Sequence, residues 1–313
     1  IIMPNFNIMT TKLIPVTLII PFYNEAKRIA STIKCLKSQT VLADEIFFTD
    51  SGSDDHTVNI IKDSNINFEY AIDYSGKMSP GSSLNYSIKK SKNELIAYMD
   101  VGKIFPDNWL EKQYETLTAS SADYVSAVIT TKGSNIVDQS FIAQLYGRDS
   151  STACLTGSLM KKSIVERLNY FIEDTRATFD IDFMDKCKKL DYKRIINHDI
   201  VMSYSGINFA NTYTLGFKKI FSYSLTGWRT SGYKKHYYYA AFIILSALFY
   251  YLSLLSLFFS LYIITRGFLL PIFKSASWIE ILKPKLLINT IMAGIIIDCA
   301  RIFGYSLFFL DNK

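Results

Sequence analysis

The chain has 313 residues, 49% hydrophobic and 15% aromatic, with a formal net charge of +6. That is long enough for one large core plus a further segment, and apolar for a protein confined to water. No arginine-rich block, zinc-finger spacing or RNA-binding aromatic motif accompanies the positive charge, so nucleic acid is the weaker partner class beside anionic lipid. Cys35, Cys154, Cys187 and Cys299 are scattered without a CxxC pair, which fits reduced, buried thiols in a cytosolic compartment rather than a disulfide framework or a zinc site. Residues Ile1 to Lys12 read as a disordered leader. The apolar run behind them is too short, and too interrupted by Pro15 and Pro21, for a signal peptide.

Val16–Ile20 is a short β-branched run bounded by those two prolines and reads as a buried strand. Pro21-Phe22-Tyr23-Asn24-Glu25 breaks it with turn chemistry. From Ala26 to Ser38 the apolar Ile29, Ile33 and Leu36 share one helical face. A second strand, Glu45–Thr49, runs into the acidic turn Asp50-Ser51-Gly52-Ser53-Asp54-Asp55-His56-Thr57. Strand, helix and strand make the βαβ unit of a parallel sheet, and such sheets bind ligands beyond the carboxyl ends of their strands. Tyr23, Glu25, Asp50 and Asp55 sit at those ends. Any one of them alone is an ordinary polar loop residue; two polar turns at adjacent strand ends point to a site.

These two turns resemble the nucleotide-binding signature of the family 2 inverting glycosyltransferases. The resemblance implies an α/β GT-A-like fold, a mainly parallel sheet flanked by helices, that binds a nucleotide-sugar, UDP-linked in the first instance. Pro21, Tyr23, Glu25 and Asp50 are then expected to hold base and ribose. Helix Val58–Ile61 and strand Ile66–Ile72 follow. Ser79–Asn85 reads as a turn leading into a helix of Tyr86 to Lys92, and small residues at a helix start offer N–H groups to an anion. In the family a similar turn packs under the donor, which assigns Gly81 and Asn85 to substrate binding; Leu84 stands where a basic residue is usual.

Leu95–Met99 is an apolar strand ending on Asp100. A leaving diphosphate needs its charge neutralised, and a carboxylate at a strand end can hold Mg²⁺ or Mn²⁺ for that purpose. The family pattern is Asp-x-Asp; here Gly102 replaces the second acid and Lys103 follows, so Lys103 could supply part of the positive charge itself. Phe105-Pro106-Asp107-Asn108-Trp109-Leu110-Glu111 matches the family closely. Tyr124–Thr130 reads as a strand, and Thr156–Lys161 resembles the small-residue strand beside the acceptor. Trp109, Gly157 and Glu173 are placed on the acceptor side by this resemblance.

Six residues beyond Glu173 the family carries Glu-Asp, whose second carboxylate is the general base. Here the pair is Phe179-Asp180, which assigns Asp180 as base, with Asp182 and Asp174 as fallbacks. Inversion needs a base opposite the leaving group. Helix Ile181–Leu190 begins just behind, so a helix N-cap is the competing reading of Asp180. A closing strand, Tyr192–Tyr204, ends at Tyr204 where the family often has a metal-touching His; His198 reads as a surface or core histidine. With Ser51, Leu84, Gly102, Phe179 and Tyr204 all departing from the polar pattern, an impaired homologue that binds nucleotide or scaffolds a membrane assembly is the alternative reading.

From Tyr237 to Thr265 no charged residue occurs, enough for a membrane crossing. Lys218, Lys219, Arg229, Lys234 and Lys235 precede it, which places the catalytic domain in the cytoplasm, at the inner membrane. A second apolar stretch, Leu286–Leu310, is interrupted by Asp298 and Arg301. Either the two stretches form a simple two-helix hairpin, or the first is itself a tight hairpin and the last is interfacial or re-entrant. Residues 13–235 are expected to form the catalytic domain and 236–313 membrane-anchoring helices, with a lipid-linked or polysaccharide acceptor.

Overall fold

The computed structural model describes residues 12–72, 79–131, 133–146, 152–173, 175–204, 209–227, 235–274 and 277–311. Its centre is a nine-stranded sheet. Four parallel strands form one half: β1 (Lys12–Phe22), β2 (Val41–Asp50), β3 (Glu69–Ile72) and β4 (Leu95–Tyr98), in the order β3-β2-β1-β4. The other half is mixed. It contains β5 (Lys103–Ile104), β6 (Tyr124–Thr130), β7 (Thr152–Ala153), β8 (Leu159–Lys161) and β9 (Arg194–Tyr204). There β8 lies antiparallel to both β4 and β6, while β9 runs parallel to β6 and antiparallel to β5.

The alternation along β1 shows how the sequence builds two cores. Val16, Leu18, Ile20 and Phe22 face one layer, with helices Ile29–Lys37 and Trp109–Thr118. Ile19 faces the other, with helices Pro80–Lys90, Lys162–Arg167 and Phe179–Lys189. Period-two side-chain direction in a strand requires this split. β1 runs through both prolines expected to bound it, and its pairing with β2 shifts register between Ile14 and Thr17. Pro15 has no N–H to give the ladder, so the chain bulges there instead of ending.

The expected turn at Ser79–Asn85 is helical from Pro80. Ser79 is the N-cap, its Oγ accepting from the Ser82 amide at 3.4 Å, and Pro80 takes the first turn.

The C-terminal region differs from a simple pair of spans. Helix Lys235–Tyr251 turns back at Ser253 (φ 58°) into a second arm, Leu255–Ile264, so the uncharged run is a helical hairpin. The second arm continues through a π-turn, Thr265–Leu269, and ends in Leu270–Phe273. The hairpin exposes apolar residues along its length, Ile244 at 68% and Tyr251 at 84%. By length and composition Leu255–Phe273 and Pro284–Leu307 are apolar enough to cross a membrane. The long last helix, Pro284–Asp311, nevertheless lies against helices Ile136–Leu145 and Tyr213–Gly227 of the catalytic half. Ala293, Ile297 and Ala300 share a third core with Phe141 and Ile220. The hairpin is the form that the second of the two arrangements anticipated from sequence gives to the first apolar run.

Candidate active site

The turns after β1 and β2 are locked together. Asn24, at φ 53°, donates from its amide N–H to Ser53 Oγ (2.9 Å) and from Nδ2 to Asp54 Oδ1 (2.8 Å), and accepts from the Asp54 amide (3.0 Å). The Glu25 amide donates to Thr57 Oγ1 (2.8 Å) and that of Ala26 to Asp55 Oδ2 (3.1 Å). The acidic turn thus braces the Tyr23–Glu25 turn. Glu25 itself is held by Arg28 (2.7 Å); burial raises its carboxyl above the ordinary value, Arg28 opposes this, and Asp100 adds to it.

A cleft of about 670 Å³ opens over the carboxyl ends of β1 and β4. Tyr23, Glu25, Asp100, Lys103, Arg176 and Asp180 are among its walls. Asp100 sits just beyond β4, its amide donating to Thr156 Oγ1 (3.0 Å). Its two carboxylate oxygens take the Tyr98 hydroxyl and the Lys103 ammonium. Gly102 allows this return: its φ is 80°, where a side chain is disfavoured, and its N–H is tied to Thr32 Oγ1 at 3.0 Å.

Asp180 reaches the cleft from the far side, in the first turn of helix Phe179–Lys189. It is not the N-cap; that position is Thr178, in the left-handed region at φ 72° and without a side-chain cap. Phe179 fills the place of the family's usual acid because it is core. It packs edge-on to Phe171 at 6.1 Å, and Phe171 in turn meets Phe183 at 4.5 Å. This aromatic seat fixes the helix start that aims Asp180. Burial raises the Asp180 carboxyl above its ordinary value, the Ile181 amide lowers it, Asp100 raises it further and Lys103 pulls it back. The carboxylate of Asp180 therefore shares one electrostatic neighbourhood with Asp100 and Lys103.

The model for "Glycosyl transferase family 2" matches residues 17–181, just over half of the chain. The chain belongs to that family. It is 28% identical over 171 residues to the glycosyltransferase AglE of Haloferax volcanii, covering 52% of this chain and 54% of that relative. The chain thus spans about half the length of that curated relative. Among solved structures, the mannosyltransferase PcManGT of Pyrobaculum calidifontis, in complex with GDP-Man and Mn²⁺, matches with TM-score 0.50 at 16% identity over 67% of this chain and 62% of that one. S. aureus TarS 1-349 in complex with UDP-GlcNAc matches with TM-score 0.49 at 15% identity over 75% and 73%. The fold is GT-A-like, as the two turn motifs indicated.

Several residues expected to touch substrate have other work in this glycosyltransferase. Asp50 is buried at 3% exposure, and its Oδ1 accepts from the Ser53 amide at 2.8 Å; its neighbour Ser51 is the one that lines the cleft. Asn85 is spent on the segment before Asp180. It donates from Nδ2 to the Phe171 carbonyl (2.8 Å) and to Glu173 Oε1 (2.9 Å), and accepts from the Phe171 amide (2.9 Å). Gly81 lets that segment approach: a Cβ there would sit 2.1 Å from the Ile172 carbonyl oxygen. Trp109 is fully enclosed, so it cannot meet an acceptor; with Gln113 it donates to the Gly157 carbonyl (2.8 and 2.7 Å). Gly157, at φ 78°, braces the turn against β4 instead of facing the cleft. Pro21 and Tyr23 do line it, and His198 is exposed on the surface. Asp182 is buried and paired with Lys186 at 2.7 Å. Asp174 and the side chain of Tyr204 lie outside the described residues.

The Mg²⁺ or Mn²⁺ implied by the family resemblance does not fit this donor set. Asp100 is a single carboxylate with one oxygen taken by a hydroxyl and the other by an ammonium. Among the described residues no group of three His, Cys, Asp or Glu side chains converges to hold a cation. Lys103, read from the sequence as a source of positive charge beside Asp100, is paired with that carboxylate. Tyr98 and Arg176 carried no site signal in the sequence, because ordinary strand and loop residues become cleft walls only when the sheet forms.

Proposed function

We propose that this glycosyltransferase moves a sugar, with inversion, from a nucleoside-diphosphate sugar to an acceptor at the cytoplasmic face of a membrane. The observation that carries this reading is the pair of opposed groups in one cleft: a carboxylate raised by burial, Asp180, across from an ammonium held by Asp100, Lys103. Asp180 accepts the proton of an acceptor hydroxyl as that oxygen bonds to the anomeric carbon. The bond from that carbon to the diphosphate oxygen breaks, and its electron pair leaves with the nucleotide. A base pushed toward neutral pH is better matched to this task than an ordinary carboxylate. Lys103, next to the Gly102 that replaces the family's second acid, faces the departing diphosphate and offsets its charge. Tyr23 and Glu25 shape the end of the cleft nearest the acidic turn, where the nucleoside is expected.

UDP-linked donors head the donor classes to be tested, and a lipid-linked sugar or a growing surface polysaccharide is the natural acceptor. The apolar hairpin supports the membrane setting, since contiguous apolar surface of this extent is not left in water. From Tyr239 to Tyr251 the first arm rises about 18 Å, more than half of a hydrocarbon core. The cationic residues ahead of it support a cytoplasmic catalytic half.

A panel of nucleotide-sugars scored first by thermal stabilisation and then by turnover tests the reading. A donor is expected to stabilise the protein and to be consumed, in EDTA as well as in Mg²⁺. Lys103→Gln is expected to lower turnover at least about tenfold, since a charge-assisted contact to the leaving group is lost. Stabilisation by nucleotide with no turnover of any donor would favour the impaired, nucleotide-binding alternative. Turnover abolished by EDTA and restored by Mg²⁺ would overturn the role given to Lys103.

A further inference from the structure

Tyr98, the last residue of β4, lines the cleft yet is only 5% exposed. Its backbone is fixed on both sides: the amide donates to the Ser158 carbonyl (3.1 Å), and the carbonyl accepts from the Gly157 amide (2.7 Å). Its ring belongs to the same core as Phe171, Phe179 and Phe183, the seat of the helix that carries Asp180. The hydroxyl leaves that core and donates to one carboxylate oxygen of Asp100, while the other oxygen takes the Lys103 ammonium. Burial, then the charge of Asp100 and the bond to it, and then Asp180 hold this hydroxyl well above the usual tyrosine range. At neutral pH it is a permanent donor.

Packing alone does not call for that oxygen, since phenylalanine fills the same core at 171, 179 and 183. What the hydroxyl adds is direction. A carboxylate turns about two single bonds, and a charge-assisted bond from a donor on a fixed ring stops that turning. Lys103 is the member of the group that needs such a guide: its stem is long and flexible, and its side chain, 9% exposed, ends on Asp100. We infer that Tyr98 is a positioning residue for the transfer: by fixing Asp100 it fixes where the Lys103 ammonium meets the diphosphate of the donor. The inference rests on the proposed placement of Lys103 at that diphosphate. A hydroxyl that served only the fold would act alike on every ligand of the cleft, whereas this one acts on ligands that carry a diphosphate.

The test is the affinity of the full chain in detergent for UDP against uridine, and for GDP against guanosine, by isothermal titration calorimetry in EDTA. Tyr98→Phe keeps the ring and is expected to weaken the diphosphate about three- to tenfold while leaving its nucleoside within about twofold. Lys103→Gln is expected to give the same split, at least about tenfold. In the Lys103→Gln background, Tyr98→Phe is expected to add no more than about twofold, because residues that act through one contact are not additive. If Tyr98→Phe fails to fold, Asp100→Asn cuts the same relay one residue further on and is expected to show the same split. Equal weakening of nucleotide and nucleoside, unchanged nucleotide binding in the folded variant, or full additivity with Lys103→Gln would overturn the inference. A parent chain that binds no nucleotide defeats the transferase reading itself; a parent that binds one, with Tyr98→Phe indistinguishable from it, defeats this inference alone.

Discussion

Gly81→Ala is the sharpest probe of how the site is held. Gly81 lies inside a helix, where alanine is intrinsically better by about 1 kcal/mol. The added methyl, however, would stand 2.1 Å from the Ile172 carbonyl oxygen and 3.1 Å from its carbon. An ordinary C···O approach is about 3.3 Å, so helix and segment must part by roughly 1.2 Å. The opposing atoms are backbone and cannot swing aside, and overpacking of this kind costs about 1–3 kcal/mol. The segment pushed away leads directly into Thr178 and Asp180, and the Asn85 clamp on Phe171 must stretch with it. A displacement near 1 Å at a reacting group is worth about a hundredfold in rate. Turnover of the donor found in the nucleotide-sugar panel is therefore expected to fall about 10- to 100-fold, together with a lower melting temperature. Turnover within about twofold of the parent, in a variant that has lost stability, would refute the view that Gly81 and Asn85 position the base.

Three further outcomes follow from the structure. Because burial raises Asp180, kcat/KM is expected to climb with pH through a value above the ordinary carboxylate range, and Asp180→Asn to abolish turnover and that limb together. The linkage sign is that of a carboxyl favoured in its protonated form. Its contribution to stability is present below the unfolded-state value and lost as pH rises through the folded one, so Asp180→Asn should melt higher than the parent by a margin that widens toward alkaline pH. A constant margin across pH, read by thermal denaturation, would contradict this. Asp298→Asn leaves Arg266 without its carboxylate in a site where the side chains are only 11% and 16% exposed, and is expected to destabilise the hairpin base by about 3 kcal/mol; limited proteolysis between residues 251 and 274 measures it.

Much of the catalytic half was legible because its signals are local. The β-branched runs, the two polar turns and the Tyr124–Thr130 strand are short-range patterns, and the strand is observed with those bounds. Asp180, picked out by its spacing from Glu173, lies in the first turn of helix Phe179–Lys189 and lines the cleft. What failed was the assignment of contacts. Gly81, Asn85 and Trp109 carry polar or small-residue signatures that resemble ligand contacts, yet their partners are Ile172, Phe171 and Gly157, at sequence separations no local pattern reports. Phe179 and Leu84 looked like lost polar groups and are instead core. Ser51 likewise shares a hydrogen bond with Ser83 at 2.7 Å. The hairpin was legible only as a choice, because an uncharged run carries no mark of where it folds back until Ser253 adopts its left-handed turn.

The shared core beneath the last helix has a practical side. Phe141 and Ile220 are covered by Ala293, Ile297 and Ala300, and Gly216 and Gly304 let neighbouring helices close on Phe141 and Ser224. Cutting the chain near residue 235 to obtain a water-soluble enzyme would strip that cover and leave a greasy scar on the fragment. The last helix, apolar enough by length and composition to cross a membrane, shares a core with the catalytic half, and anyone trimming one dismantles the other.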